Sequence, residues 1–224
     1  MPVDTALDKV TIVVVEDEDL YRDLLVNALS SVPSFKVLGA LADAEAAQRA
    51  ILELRPKVAT LDIELKGGVS GVQVGLAVKS QLPETGIVWL SSHAEPYFAV
   101  SLAREITAGW AYLLKQSVAD IGALVRAIEG AARGFVVLDP EIVRGIPKKV
   151  TGDLAVLTPR QREIVAQMAQ GYTNAGIAQT LYITEKSVEN QINQIYQRLE
   201  IDRQNASIQP RVRAVLKYLE AIRA

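Results

Sequence analysis

The chain has 224 residues, half of them hydrophobic and 22% charged, with a formal net charge of −2. That composition excludes a mostly disordered chain, and no apolar run reaches the roughly 18 residues of a membrane-spanning helix. Cysteine is absent, which removes disulfides, thiolate zinc sites and cysteine nucleophiles, and a lone histidine, His93, argues against a histidine metal cage or a conventional Ser-His-Asp triad. The opening segment carries Asp4 and Asp8 rather than a basic flank before an apolar core. It does not read as a secretory signal, so a cytoplasmic protein with no membrane partner is expected.

In chain order, the first 138 residues alternate short apolar runs with stretches of helical period, the pattern of a parallel α/β sheet. Strands are predicted at Thr11–Val15, Val37–Ala40, Val58–Leu61, Ile87–Leu90 and Ala111–Leu114, each apolar enough to be covered on both faces. Helices are predicted at Asp19–Ser30, Asp43–Leu54, Gly71–Gln81, Tyr97–Ala108 and Val118–Arg133. Five such units are too few for an eight-fold barrel, which leaves a doubly wound, five-stranded parallel sheet. Residues 139–156 break the rhythm with Pro140, Pro147 and the pair Lys148–Lys149, and read as a linker with one short helix near Glu141–Arg144. Residues 157–224 show only helical patterns and make an all-α second domain. Charge divides along the same line: 12 Lys and Arg against 17 Asp and Glu in residues 1–138, then 12 against 9. A mildly basic second part suits a nucleic-acid module.

Ligands of an open α/β sheet gather beyond the carboxyl ends of its strands. There the first strand ends in Glu16–Asp17, the third in Asp62, the fourth in Ser91–Ser92 and the fifth in Lys115. Carboxylates from adjacent strands make a hard oxygen site suited to Mg²⁺. A hydroxyl and an ammonium opposite them would stabilise a phosphoryl group on Asp62, which sits between the acidic strand end and the lysine. The glycine-rich loop Lys66–Gly71 fits a phosphate-proximal segment. Each residue alone reads more readily as an ordinary strand-end polar group; the combination carries the inference.

Over about residues 9–133 this pattern resembles the receiver domains of two-component response regulators. The resemblance implies a phosphoacceptor at Asp62 and a Mg²⁺ ion held by Glu16, Asp17, Asp62 and the backbone carbonyl of Glu64. It implies a switch built from the Ser91 hydroxyl, the Tyr112 ring and the Lys115 ammonium. Without it, Tyr112 reads as a half-buried edge-strand aromatic. The chain departs from the family at Lys66, where proline is usual. Glu64 and His93 flank the site at positions where the family varies, and His93 is expected as a lid or surface residue.

The second part opens with Thr158-Pro159-Arg160-Gln161, an N-cap hydroxyl, a first-turn proline and a capping-box glutamine. Ile164, Val165, Met168 and Ala169 form an apolar face, and Gly171 closes the helix. Thr173 caps a short second helix and Thr184 a long third one, with Val188, Ile192, Ile195 and Leu199 turned inward. Lys186, Glu189, Asn190, Asn193, Gln194, Gln197 and Arg198 make the outward, DNA-facing set of a helix-turn-helix. The same face reads alternatively as an ordinary solvated surface of a protein-binding bundle. The string Leu157–Glu163, with Gly171–Asn174, Ile177–Ala178, Leu181, Ser187–Asn190 and Leu199, resembles the LuxR-type DNA-binding domain. Its order after a receiver is that of the NarL/FixJ response regulators. Gly176, Gln191 and Glu189 depart from the residues usual there. A last amphipathic helix, Val212–Ile222, either forms a dimer contact or packs on the bundle.

The expected protein is therefore no enzyme but a DNA-binding transcriptional regulator. A sensor histidine kinase would phosphorylate it on Asp62 with Mg²⁺, and it would bind double-stranded DNA as a homodimer. Two other readings stand beside it. A receiver fold can serve as a constitutive dimeriser without phosphorylation. Asp62-Ile63-Glu64 could belong to an aspartyl-phosphate phosphohydrolase, with Glu64 where that chemistry normally wants a second aspartate.

Overall fold

The computed structural model describes residues 9–94, 99, 102, 105–106, 108–145, 154, 156–203 and 209–220. Six parallel strands form one sheet: β1 (Val10–Val15), β2 (Phe35–Leu41), β3 (Val58–Asp62), β4 (Gly86–Ser91), β5 (Trp110–Leu114) and β6 (Val136–Leu138). Their order is β2-β1-β3-β4-β5-β6. The five expected strands are all present. The sixth, three residues long, pairs with β5 from Trp110↔Val136 to Tyr112↔Leu138 and extends the sheet edge.

Strand side chains alternate between two apolar layers, as the two-residue repeat requires. Ile12, Val14, Val88, Leu90, Ala111 and Leu113 meet Leu25, Leu29, Leu124 and Ile128, from helices α1 (Asp19–Ser30) and α4 (Ile121–Ala132). Val13, Val15, Leu61, Trp89 and Tyr112 meet Ala47, Ile51, Val74 and Val78, from α2 (Ala44–Leu54) and α3 (Gly71–Gln81). The helix expected at Tyr97–Ala108 falls largely outside the described residues. Helix α4 starts later than the periodicity suggests, because the Asp120 carboxylate accepts from Gly122 N at 2.9 Å and caps it there. A 3₁₀ turn, Lys115–Ala119, fills the gap.

A short helix α5 (Pro140–Gly145) comes after β6. The helical part comprises α6 (Pro159–Ala169), α7 (Asn174–Leu181), α8 (Glu185–Arg198) and α9 (Pro210–Glu220). Thr158, Thr173 and Thr184 cap α6, α7 and α8 through their side chains, and Thr158 completes a capping box with Gln161. Val212, Ala214, Val215, Tyr218 and Leu219 of α9 are buried inside the chain, so its apolar face packs on the bundle. The helical core continues without a break into the layer of Tyr112, Val136 and Leu138.

Helix α3 approaches β4 closely because Gly75 has no side chain. A Cβ there would lie 2.6 Å from the Trp89 ring. Trp89 cannot retreat: its Nε1 donates to Gly71 O at 3.1 Å and its ring meets Trp110 edge-on at 6.1 Å. Gly75→Ala should therefore destabilise the protein by about 1–3 kcal/mol through overpacking. Urea unfolding followed by tryptophan fluorescence should show a lower midpoint at unchanged slope.

Candidate functional site

Three carboxylates meet beyond the carboxyl ends of β1 and β3. Glu16 is fully buried, Asp62 nearly so, and Asp17 sits at the rim with its side chain 8% exposed. One oxygen from each lies within 4.8 Å of the others. This is the hard, anionic donor set that a divalent cation such as Mg²⁺ requires, so the residues fit one. What the structure fixes at Glu64 is its N–H, which donates to Asp62 Oδ1 at 3.1 Å.

Buried carboxylates this close repel one another unless a cation stands between them. Lys115, entering from the end of β5, supplies it: Nζ lies 3.0 Å from Asp62 Oδ2 and 2.9 Å from Glu16 Oε2. Burial pulls the Lys115 ammonium down, but bonds from Glu16 and Asp62 outweigh it and raise its pKa. Burial pushes the Glu16 carboxyl up, against the hydrogen bond from Lys115. Helix α1 braces the pocket with two residues that the sequence pattern did not single out. Arg22 Nη1 donates to the Glu16 carbonyl at 2.8 Å, and the Tyr21 hydroxyl to the Lys115 carbonyl at 3.1 Å. The Tyr21 ring also lies under the Lys115 ammonium, 4.9 Å from its centroid. At the rim, Lys66 Nζ sits 3.1 Å from Asp17 Oδ2. Burial pushes the Asp17 carboxyl up, yet Lys66 holds it below the usual range.

The switch candidates converge on a single backbone atom. The Ser91 hydroxyl donates to the His93 carbonyl at 2.9 Å, and the Tyr112 hydroxyl donates to the same oxygen at 2.9 Å. Ser91 Oγ also accepts from His93 N at 3.1 Å, so it faces this loop and not Asp62. The Tyr112 ring is buried, not half-buried as an edge aromatic would be. The His93 ring is exposed, 3.9 Å from Glu64.

Asp139, which the sequence pattern also passed over, ties β5 to the short helix α5. It is fully buried, and its Oδ2 accepts from Leu114 N at 3.0 Å, next to Lys115. Its Oδ1 accepts from Glu141 N at 2.8 Å, and its own N–H donates to Tyr112 O at 2.8 Å. The string Asp139-Pro140-Glu141 carries the cap-and-proline signal of a helix start, which is where it could have been found.

On α8, Lys186, Asn190, Asn193, Gln194 and Gln197 are exposed on one face. Glu189 is bound to Lys186 at 3.0 Å along the helix. Arg198, expected in the same set, turns back instead. Its Nη1 donates to Val156 O at 3.1 Å and to Gln161 Oε1 at 3.0 Å. Gln161 is buried and also donates to Gln191 and Gln194, both at 3.2 Å, which fixes the rotation of α8 on α6.

The two parts of the chain meet through a reciprocal pair. Arg126 of α4 stacks on the Tyr172 ring at 4.7 Å, and Arg211 of α9 faces the Phe135 ring at 5.7 Å. Arg211 also donates to the Tyr172 carbonyl. Gly171, at φ +80°, lets the chain end α6 directly on Val137, where a Cβ would come within 3.0 Å.

Residues 12–129 match the family model of the response regulator receiver domain. Residues 155–209 match that of the bacterial regulatory proteins of the luxR family. The chain is 32% identical over 205 residues to the probable transcriptional regulatory protein NarL of Mycobacterium tuberculosis, covering 90% of this chain and 93% of that protein. It is 28% identical to the transcriptional regulatory protein DegU of Brevibacillus brevis, covering 90% and 93%. Its fold is that of the Salmonella typhimurium RcsB response regulator, with a TM-score of 0.52 at 20% identity over 95% of this chain and 98% of that one. The chain belongs to the response regulators that join a receiver domain to a LuxR-type DNA-binding domain.

Proposed function

We propose that this response regulator takes a phosphoryl group on Asp62 from a sensor histidine kinase in the cytoplasm, and that the modification changes its binding to double-stranded DNA. The observation that carries the reading is the Asp62 carboxylate, held between Lys115 and the Glu64 N–H beside two further carboxylates. An Asp62 oxygen attacks phosphorus, the P–N bond to the kinase's imidazole breaks, and the electron pair leaves with nitrogen. Glu16, Asp17, Asp62 and the Glu64 carbonyl would hold Mg²⁺. The ion supplies neutralisation of charge on the phosphoryl oxygens. Lys115 pairs with the same oxygens.

In this reading residues 1–138 are the receiver, 139–156 the linker and 157–224 the DNA-binding domain. Ser91 leaves the His93 carbonyl for the new phosphoryl oxygens, which removes one of the two hydroxyls sharing that acceptor. Tyr112 then repositions with it. Strand β5 carries Tyr112 and leads into Lys115, and Asp139 passes its displacement to β6, α5 and the arginine–aromatic joint. The joint loosens and the protein engages DNA as a homodimer. Helix α8 reads the major groove through Lys186, Glu189, Asn190, Asn193, Gln194 and Gln197, while Arg198 supports it from behind.

Four outcomes test this. Intact-mass measurement with a small phosphodonor should show one added phosphoryl group with Mg²⁺ and none in Asp62→Asn; continued labelling of that variant would remove Asp62 as acceptor. A stable phosphoprotein without sustained turnover of a phosphomonoester would also separate the regulator from a phosphohydrolase.

Asp139→Ala should still be phosphorylated but should not transmit the change. Phosphorylation should alter DNA affinity about 5-fold or more in the parent, the lower end of ordinary coupling, and less than about twofold in the variant. Fluorescence anisotropy on a selected operator measures both.

Glu189→Lys should raise non-specific DNA binding and steepen the salt dependence by about one unit of slope, because one further phosphate is neutralised. If Glu189 accepts from a cytosine amino group, the variant should also lose discrimination at one base pair, worth about 1–3 kcal/mol. Unchanged site selection would mean that Glu189 serves only to hold Lys186.

A further inference from the structure

All three carboxylates of the acidic pocket already have an ammonium partner. Lys115 serves Glu16 and Asp62 from inside, with its own side chain only 17% exposed. Asp17 has a second one: Lys66 reaches in from the loop after β3, its Nζ 3.1 Å from Asp17 Oδ2. The two lysines differ in how they are held. Lys115 is enclosed and braced by Tyr21, whereas the Lys66 side chain is 80% exposed. Around Lys66 the backbone is anchored on one side and open on the other. Leu65 is buried in the core, while Gly67 and Gly68 take φ of +103° and +88° in open space. The anchored backbone leaves the lysine stem as the part that swings.

We propose that Lys66 is a tethered counter-cation, which occupies Asp17 until a divalent ion displaces it and so sets the concentration at which that ion binds. The inference rests on the reading of the pocket as the Mg²⁺ site. Asp17 at the rim is the carboxylate an entering ion meets first, and its Oδ2, which faces Lys66, is the atom the two cations contest. A lysine ammonium and a divalent cation on one carboxylate repel each other. The ion therefore binds in exchange for the Lys66 bond, and its apparent affinity falls by the strength of that bond. An exposed ion pair of this kind is weak, so the exchange lowers affinity without closing the site. Lys115 also faces two of the carboxylates, but it is enclosed by Glu16, Asp62 and Tyr21 and cannot swing out as the exposed Lys66 can.

The test is divalent-ion affinity of the full-length chain, measured by titration calorimetry with Mg²⁺ and by electron paramagnetic resonance of free Mn²⁺. Lys66→Met keeps the stem, removes the charge and lies on the surface, so the fold should be preserved. It should bind both ions more tightly, by up to about fivefold, the upper range of an exposed ion pair expressed as a ratio. Lys66→Glu should bind more tightly still, and Lys66→Arg should stay close to the parent. Asp17→Asn should weaken binding in every background. Equal or weaker affinity in Lys66→Met, with Asp17→Asn still lowering it, would overturn the role of Lys66 and leave the pocket intact. Affinity indifferent to Asp17→Asn would overturn the pocket reading, and the role of Lys66 with it.

Discussion

Everything at the carboxyl edge of the sheet depends on one ammonium ion. Glu16 and Asp62 come from neighbouring strands and are both buried, an arrangement that mutual repulsion and desolvation would not sustain by themselves. Lys115 makes it tenable by standing 3.0 Å or less from an oxygen of each. The lysine is in turn held by its position directly after β5 and by the Tyr21 ring and hydroxyl. Three strands and α1 are thereby tied at one charged point. A change in charge on Asp62 is felt first at the end of β5, the strand that also carries Tyr112.

That strand is the inner neighbour of the sheet's last one. β6 is only three residues long, yet the receiver and the helical domain meet across it. Asp139 comes directly after it and bonds back to both Tyr112 and Leu114, so the strand end and the linker helix move as one piece. Beyond it, each domain lends an arginine to the other's aromatic ring, Arg126 to Tyr172 and Arg211 to Phe135. Such contacts are worth about 0.5–2 kcal/mol each, strong enough to hold a preferred arrangement and weak enough to be exchanged. Val137 and Gly171 supply the apolar part of the same joint.

The parts of this architecture written in local pattern were legible in the sequence. Short apolar runs marked the five long strands, and the hydroxyl caps at Thr158, Thr173 and Thr184 marked the starts of three helices. The pocket was legible because strand ends share one edge of a parallel sheet, whatever the loops do. Less was legible where a side chain chooses between partners far apart in sequence. Val136–Leu138 is too short to carry a period. Arg198 has the spacing of a DNA-facing residue, but it lies within reach of the Val156 carbonyl and Gln161 and turns to them. Lys66 marked a departure from a family pattern; only the folded loop shows that its ammonium reaches Asp17.

The hydrogen bonds at His93 show how a small chemical event on Asp62 would be decisive. A carbonyl oxygen has two lone pairs, and at His93 both are engaged, one by Ser91 and one by Tyr112. The two hydroxyls are therefore linked through an acceptor that neither owns. A hydrogen bond of this kind contributes about 0.5–1.5 kcal/mol, whereas one to a charged group contributes about 1.5–3 kcal/mol. On the proposed function, a charged oxygen on Asp62 would outcompete the His93 carbonyl for Ser91 by about the amount that shifts an equilibrium tenfold. Because the difference is small, the bias reverses when that charge is removed. In the proposed switch Lys115, already beside Asp62, would turn to the new phosphoryl oxygens without leaving the pocket, so the bonds given up at His93 are neutral ones.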